Sequence, residues 1–106
     1  MNDLEMKIMQ IIVSSGESKA KSFEALNKVK ERDYAGARAC MEEARKIDIE
    51  AHNAQTALIQ SELSGDGEDK PMLSLLMVHA QDHYMTSQLS RDLIEKLIEV
   101  FESKED

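Results

Sequence analysis

Apolar side chains recur along this chain at steps of three and four, the spacing that places residues on one face of an α-helix. The first such segment runs from about Leu4 to about Glu31, with Ile8, Ile11, Ile12, Ser15, Phe23 and Leu26 approximating one face. Ser14-Ser15-Gly16 interrupts it and predicts a kink or a closely packed neighbour. Arg32-Asp33 marks a short turn, with Asp33 a natural N-cap for a second helix. That second segment runs from about Tyr34 to about Leu63 and carries Ala37, Met41, Ala44, Ile47, Ala51, Ala54 and Leu58 at helical spacing. Its alanines have strong helix propensity and would let neighbouring helices approach closely. Ser64 to Lys70 has turn chemistry, with Gly65 a candidate C-cap. Pro71 can then open a third helix reaching about Glu102, where its missing N–H costs nothing. The tail from Ser103 to Asp106 is expected to fray.

Helices of this size, each roughly 45 Å long, joined by short connections make an all-α, antiparallel three-helix bundle. The third helix has more apolar surface than one neighbour can cover. Leu75, Val78, Leu89, Leu93, Leu97 and Val100 form its main stripe, flanked by Met72, Leu76, Ile94, Ile98 and Phe101. The excess predicts self-association through this helix around a symmetry axis.

Composition narrows the class. The 106 residues fit one domain, 1–106. A net charge of -8 argues against nucleic acid and anionic membrane as partners, since both need basic patches. The lone Cys40 permits no intrachain disulfide and reads as a small buried side chain. Met1-Asn2-Asp3-Leu4-Glu5 is too polar for a signal peptide, and no apolar stretch approaches transmembrane length, so a soluble cytoplasmic protein is expected. The acidic run Glu99, Glu102, Glu105 and Asp106 reads as a solvated face.

The candidate chemistry lies in Val78-His79-Ala80-Gln81-Asp82-His83-Tyr84-Met85-Thr86. Asp82 falls in the middle of the apolar stripe, where a carboxylate is costly unless paired, metal-bound or neutralised. His79 and His83, four apart, share a helical face. Three readings compete on the residues alone. His79 could be a nucleophile that accepts and releases a phosphoryl group, with one ring nitrogen exposed and the other hydrogen-bonded. His83 and Thr86 could then donate to the phosphoryl oxygens, while Gln81, roughly 160° around the helix, could help only from a neighbouring chain. Alternatively, H-x-x-D-H resembles an inverted zinc-protease pattern that still needs a third ligand, which Glu50 or His52 could offer although nothing in the sequence fixes them nearby. Thirdly, the cluster could be a satisfied polar network that sets bundle register. His52 itself reads as a polar residue at a helix–helix contact. Met72, Met77 and Met85 suit either ordinary packing or an adaptable surface.

The segment resembles the active-site helix of the lactose/cellobiose-type enzyme IIA of the bacterial sugar phosphotransferase system. Ile11-Ile12-Val13-Ser14-Ser15-Gly16, Arg32-Asp33-Tyr34-Ala35-Gly36-Ala37 and Glu50-Ala51-His52-Asn53-Ala54-Gln55-Thr56 are similar to further parts of that family. The resemblance implies a cytoplasmic phosphocarrier that takes a phosphoryl group from the carrier protein HPr on His79 and passes it to a cognate IIB component for disaccharide uptake. It implies a homotrimer of nine helices, with Asp82 at a three-fold metal position holding a divalent ion, Mg²⁺ being the expected one. Gln81 and His83 match positions lining the phosphoryl site. The partner surface around His79 should be apolar with a polar rim, with Met77, Ala80 and Met85 at its edge. The rival is a non-catalytic helical adaptor or metal-binding bundle. The resemblance leaves the sugar open.

Overall fold

The local signals at the helix ends set the architecture. In the computed structural model, which describes residues 2–64 and 73–105, Asn2 caps α1 (Asp3–Lys30) by accepting the Glu5 N–H at 2.8 Å. The helix stops at Arg32, whose φ of 60° lies in the left-handed region. Asp33 then caps α2 (Tyr34–Ser64): its Oδ1 accepts from the Gly36 N–H at 2.8 Å. A Cβ on Gly36 would collide with that carboxylate, so the cap needs glycine there. The third helix, α3 (Leu75–Ser103), begins later than Pro71 predicts. Ser74 is its N-cap, accepting the Met77 N–H at 3.1 Å. Pro71, Met72 and Gly65 lie outside the described residues.

α1 and α3 run parallel, with α2 antiparallel between them in sequence, in a body of 60 × 22 × 20 Å. The inward positions of α1 are Ile8, Ile11, Ser15, Ser18, Ser22, Ala25 and Val29, all buried. Those of α3 are Met77, Ala80, Tyr84, Ser87, Arg91, Ile94 and Ile98, buried or half-buried. Both sets alternate steps of three and four in phase, the seam pattern of coiled-coil packing. α2 contributes Ala37, Met41, Ala44, Asp48, Ala51, Ala54 and Leu58.

The core is apolar at both ends and polar in the middle. One cluster gathers Ile8, Ile11, Ala54, Leu58, Met77 and Ala80; the other gathers Ala25, Val29, Ala37, Cys40, Met41, Ile94 and Ile98. Between them Ser18 Oγ donates to the Ala44 carbonyl at 2.9 Å and Ser22 Oγ to the Ser18 carbonyl at 3.1 Å. Asp48 is buried and accepts from Arg91 Nη1 at 2.7 Å and Gln88 Nε2 at 3.4 Å. At the end far from His79, Arg38 pairs with Glu102 at 2.6 Å, and Arg45 pairs with Glu95. These exposed pairs are solvent-screened and contribute little each.

Several sequence expectations change here. α1 runs unbroken through Ser14-Ser15-Gly16; the close neighbour packs against the fully buried Ser14 and Ser15, whereas a Cβ on Gly16 would meet nothing within 4 Å. Phe23 is exposed, and Asp48 rather than Ile47 is the buried member of the α2 stripe. On α3 the order of the faces reverses. Leu75, Val78, Leu89, Leu93, Leu97 and Val100 are all exposed, whereas the flanking Ile94 and Ile98 enter the core. Helical periodicity finds both apolar faces but cannot say which one the chain's own helices cover. Cys40 is buried as expected, and burial pushes its thiol pKa up.

Candidate functional site

His79, Gln81, Asp82 and His83 sit within the first three turns of α3, which Ser74 starts and the Met77–Ala80 contact with α1 and α2 anchors. Successive residues step 100° around the axis, so the four side chains leave the helix in different directions.

His79 is exposed, and its ring meets that of His83 edge to face, with centroids 4.5 Å apart and planes at 77°. His83 is half-buried, and its Nδ1 is buried with no hydrogen-bond partner among the described residues. The pair therefore comes together as the i, i+4 spacing predicts. Among the described residues of one chain, no group hydrogen-bonds a His79 ring nitrogen, so the anchor expected for one of its nitrogens is not supplied by them.

Asp82 is exposed, at the centre of the outer stripe formed by Leu75, Val78, Met85 and Leu89. Within a single chain its carboxylate is not desolvated, so the burial cost expected from its place on an apolar face is not incurred there. Thr86 turns away from the histidines: its hydroxyl donates to the Asp82 carbonyl at 2.7 Å, with the His83 carbonyl at 3.3 Å. It is not free to donate to a phosphoryl oxygen in this arrangement.

Gln81 points to α2, on the far side of the helix from His79. It exchanges two hydrogen bonds with Gln55: Gln55 Nε2 donates to Gln81 Oε1, and Gln81 Nε2 donates to Gln55 Oε1, both at 2.6 Å. One turn on, His52 Nδ1 lies 3.2 Å from the Tyr84 hydroxyl, which makes His52 the helix–helix contact its sequence context predicts. Glu50 faces α1 instead, accepting from Gln10 Nε2 at 2.8 Å. No group of three or more His, Cys, Asp or Glu side chains converges as a metal site among the described residues. The H-x-x-D-H spacing thus does not gather a ligand set within them.

The expected edge of the partner surface also moves. Met77 and Ala80 are buried, so of the three residues named only Met85 is exposed. The apolar side chains open to solvent at this end include Met6, Ile59, Leu63, Leu73, Leu75, Leu76 and Val78. A groove of about 310 Å³ between α2 and α3 is lined by Gln55, Leu58, Ile59, Glu62, Leu73, Met77 and Gln81. No helix among the described residues is long and apolar enough to cross a membrane.

Sequence reasoning missed Gln55 and Tyr84. The signal was present: His52-x-x-Gln55 and Gln81-x-x-Tyr84 have equal spacing, and antiparallel helices can match such pairs end to end.

Known proteins resemble this chain over nearly its whole length. Residues 6–102 match the family described as "PTS system, Lactose/Cellobiose specific IIA subunit". The N,N'-diacetylchitobiose-specific EIIA component of Escherichia coli strain K12 is 44% identical over 100 residues, covering 94% of this chain and 84% of that protein. The crystal structure of the cellobiose-specific enzyme IIA from Bacillus anthracis superposes with a TM-score of 0.89 at 35% identity, covering 97% of this chain and 92% of that one. The IIA(chitobiose)–HPr complex of Escherichia coli, solved in solution, gives a TM-score of 0.77 at 39% identity, covering 97% of both chains.

Proposed function

The chain belongs to the lactose/cellobiose-specific IIA family of the sugar phosphotransferase system, and from that premise we propose that His79 is the residue on which this phosphocarrier accepts and releases its phosphoryl group. The donor is phospho-HPr and the acceptor a cognate IIB component, in the service of disaccharide uptake of the cellobiose, chitobiose or lactose type. The reading puts the protein in the cytoplasm. The observation that carries it is the exposed His79 ring set edge to face against His83 at 4.5 Å.

An imidazole nitrogen of His79 attacks phosphorus, an N–P bond forms, and the bond from phosphorus to the donor breaks. The second transfer reverses the roles, with the acceptor attacking and His79 leaving. Both steps move a phosphoryl group between proteins, so catalysis lies in positioning and charge stabilisation. His83 is the nearest ring to the developing negative charge. The exposed Ile59, Leu73 and Leu76, which lie outside the outer stripe of α3, supply the apolar ground on which both partners dock.

The assembly we propose is a homotrimer. Val78 at 49%, Leu89 at 58% and Leu93 at 55% exposure form a stripe too apolar to stand in water along a whole helix. Three copies packing α3 against α3 would cover it and bring three Asp82 carboxylates to one axis. Hard carboxylate oxygens suit a divalent cation such as Mg²⁺, which would offset their mutual repulsion. Asp82 would hold that ion; its role is to tie the subunits together, and no transfer step passes through it.

Carrier behaviour is tested by a chase. The protein is charged with phosphoenolpyruvate, enzyme I and HPr, freed of the donor, and mixed with a cognate IIB component. Label moving to IIB supports the reading; label released only as inorganic phosphate contradicts it.

A further inference from the structure

We propose that Gln55 of α2, with His52 beside it, is a positioning residue for phosphoryl transfer at His79. This rests on the assignment of His79 as the phosphoryl acceptor. α3 lies chiefly against α1 and approaches α2 much more sparingly. Near the site, two polar contacts join α3 to α2 beside the apolar cluster of Ala54, Leu58, Met77 and Ala80. Gln55 and Gln81 exchange two hydrogen bonds of 2.6 Å, and His52 Nδ1 meets the Tyr84 hydroxyl at 3.2 Å. His52 and Gln55 are one turn apart on α2, as are Gln81 and Tyr84 on α3, so the two contacts form a clasp of matched spacing across antiparallel helices.

The clasp bears on His79 through helix rotation. Gln81 and His79 leave α3 on roughly opposite sides. Holding Gln81 toward α2 therefore fixes the direction in which the imidazole faces its partner. A ring about 6 Å from the helix axis moves by about 1 Å for a rotation of roughly 10°. A misplacement of about 1 Å at the reacting atoms can cost on the order of a hundredfold in rate. The reciprocal amide pair resists rotation in both senses, because either rotation breaks both bonds together. Gln81 Nε2 also lies 3.9 Å from Met77 Sδ, so both its amide N–H groups have acceptors on the α2 side of the helix or along it. In this conformation Gln81 serves as the anchor for α3 and offers nothing to a phosphoryl group on its own chain.

Single-turnover phosphorylation by phospho-HPr tests this, with wild type and His79→Ala measured alongside. Gln55→Leu keeps the bulk and removes both bonds. It should lower the rate at saturating donor roughly 10- to 100-fold, leaving the half-saturating HPr concentration, the oligomeric state and the helix content near wild type. Gln55→Glu keeps the acceptor for Gln81 Nε2 and should recover part of the loss. Tyr84→Phe should give a smaller loss of the same kind. A wild-type rate at saturation in Gln55→Leu, with only a lowered melting temperature, would overturn the proposal and make Gln55 merely structural. A change confined to half-saturation would overturn it in favour of a docking contact. No label on the wild type, or equal label on His79→Ala, would instead remove the assignment of His79, and the inference with it.

Discussion

His79 and His83 hold their rings edge to face, 4.5 Å between centroids, on consecutive turns of α3. The relationship arises from their spacing of four and leaves His79 open to solvent while His83 is half-buried. On the proposed assignment, His83 is placed beside the phosphoryl group that His79 would carry. His83→Ala should slow phosphorylation by HPr on the order of a hundredfold while His79 remains the labelled residue. The check is a time course of labelling with the site mapped by mass spectrometry.

Asp48 and Arg91 join α2 to α3 in the middle of the core at 2.7 Å, and both are largely buried. Removing one member strands the other. Arg91→Met should therefore destabilise the fold by about 3–5 kcal/mol, read from urea unfolding. Asp48→Leu combined with Arg91→Met should recover most of that loss, since an apolar pair of similar bulk incurs no desolvation penalty.

The outer stripe of α3 separates assembly from folding. Leu89 and Leu93 are more than half exposed in one chain, so Leu89→Glu with Leu93→Glu leaves the intrachain core untouched. The variant should sediment as a folded monomer with wild-type helix content. A wild-type oligomer in that variant would show that α3 self-association does not use this stripe.

Asp82 gives the metal reading its own test. If the chain assembles as the proposed trimer, a chelator should weaken it, because three carboxylates would then repel without a cation between them. Asp82→Leu should form a trimer that a chelator does not affect, as measured by sedimentation equilibrium. Loss of the trimer in Asp82→Leu would count against the three-fold site.

Much of the fold was legible because helix ends carry local chemistry. Asp33 caps α2 as its place after the turn predicts, and the alanine stripe from Ala37 to Leu58 is buried nearly as spaced. The misplaced features are those that depend on tertiary partners. Pro71 is a permissible first helical residue, yet Ser74 offers a better cap and α3 starts beside it. Periodicity marked the Leu75–Val100 stripe as a burial face, but a single chain covers the Met77–Ile98 face instead. The pair His79 and His83 was readable from spacing alone, because both partners lie on one helix. Gln55 and Tyr84 were not, since their roles arise only when α2 and α3 are set side by side in register.

The proposed phosphoryl transfer by this chain depends on His79 as the acceptor. The most direct test incubates wild type and His79→Ala with phosphoenolpyruvate, enzyme I and HPr, then assays acid-labile, base-stable phosphate on each. Label on the wild type and none on the variant is the expected result. Equal label on both would move the acceptor to another residue, with His83 and His52 the first to be replaced, and would contradict the assignment.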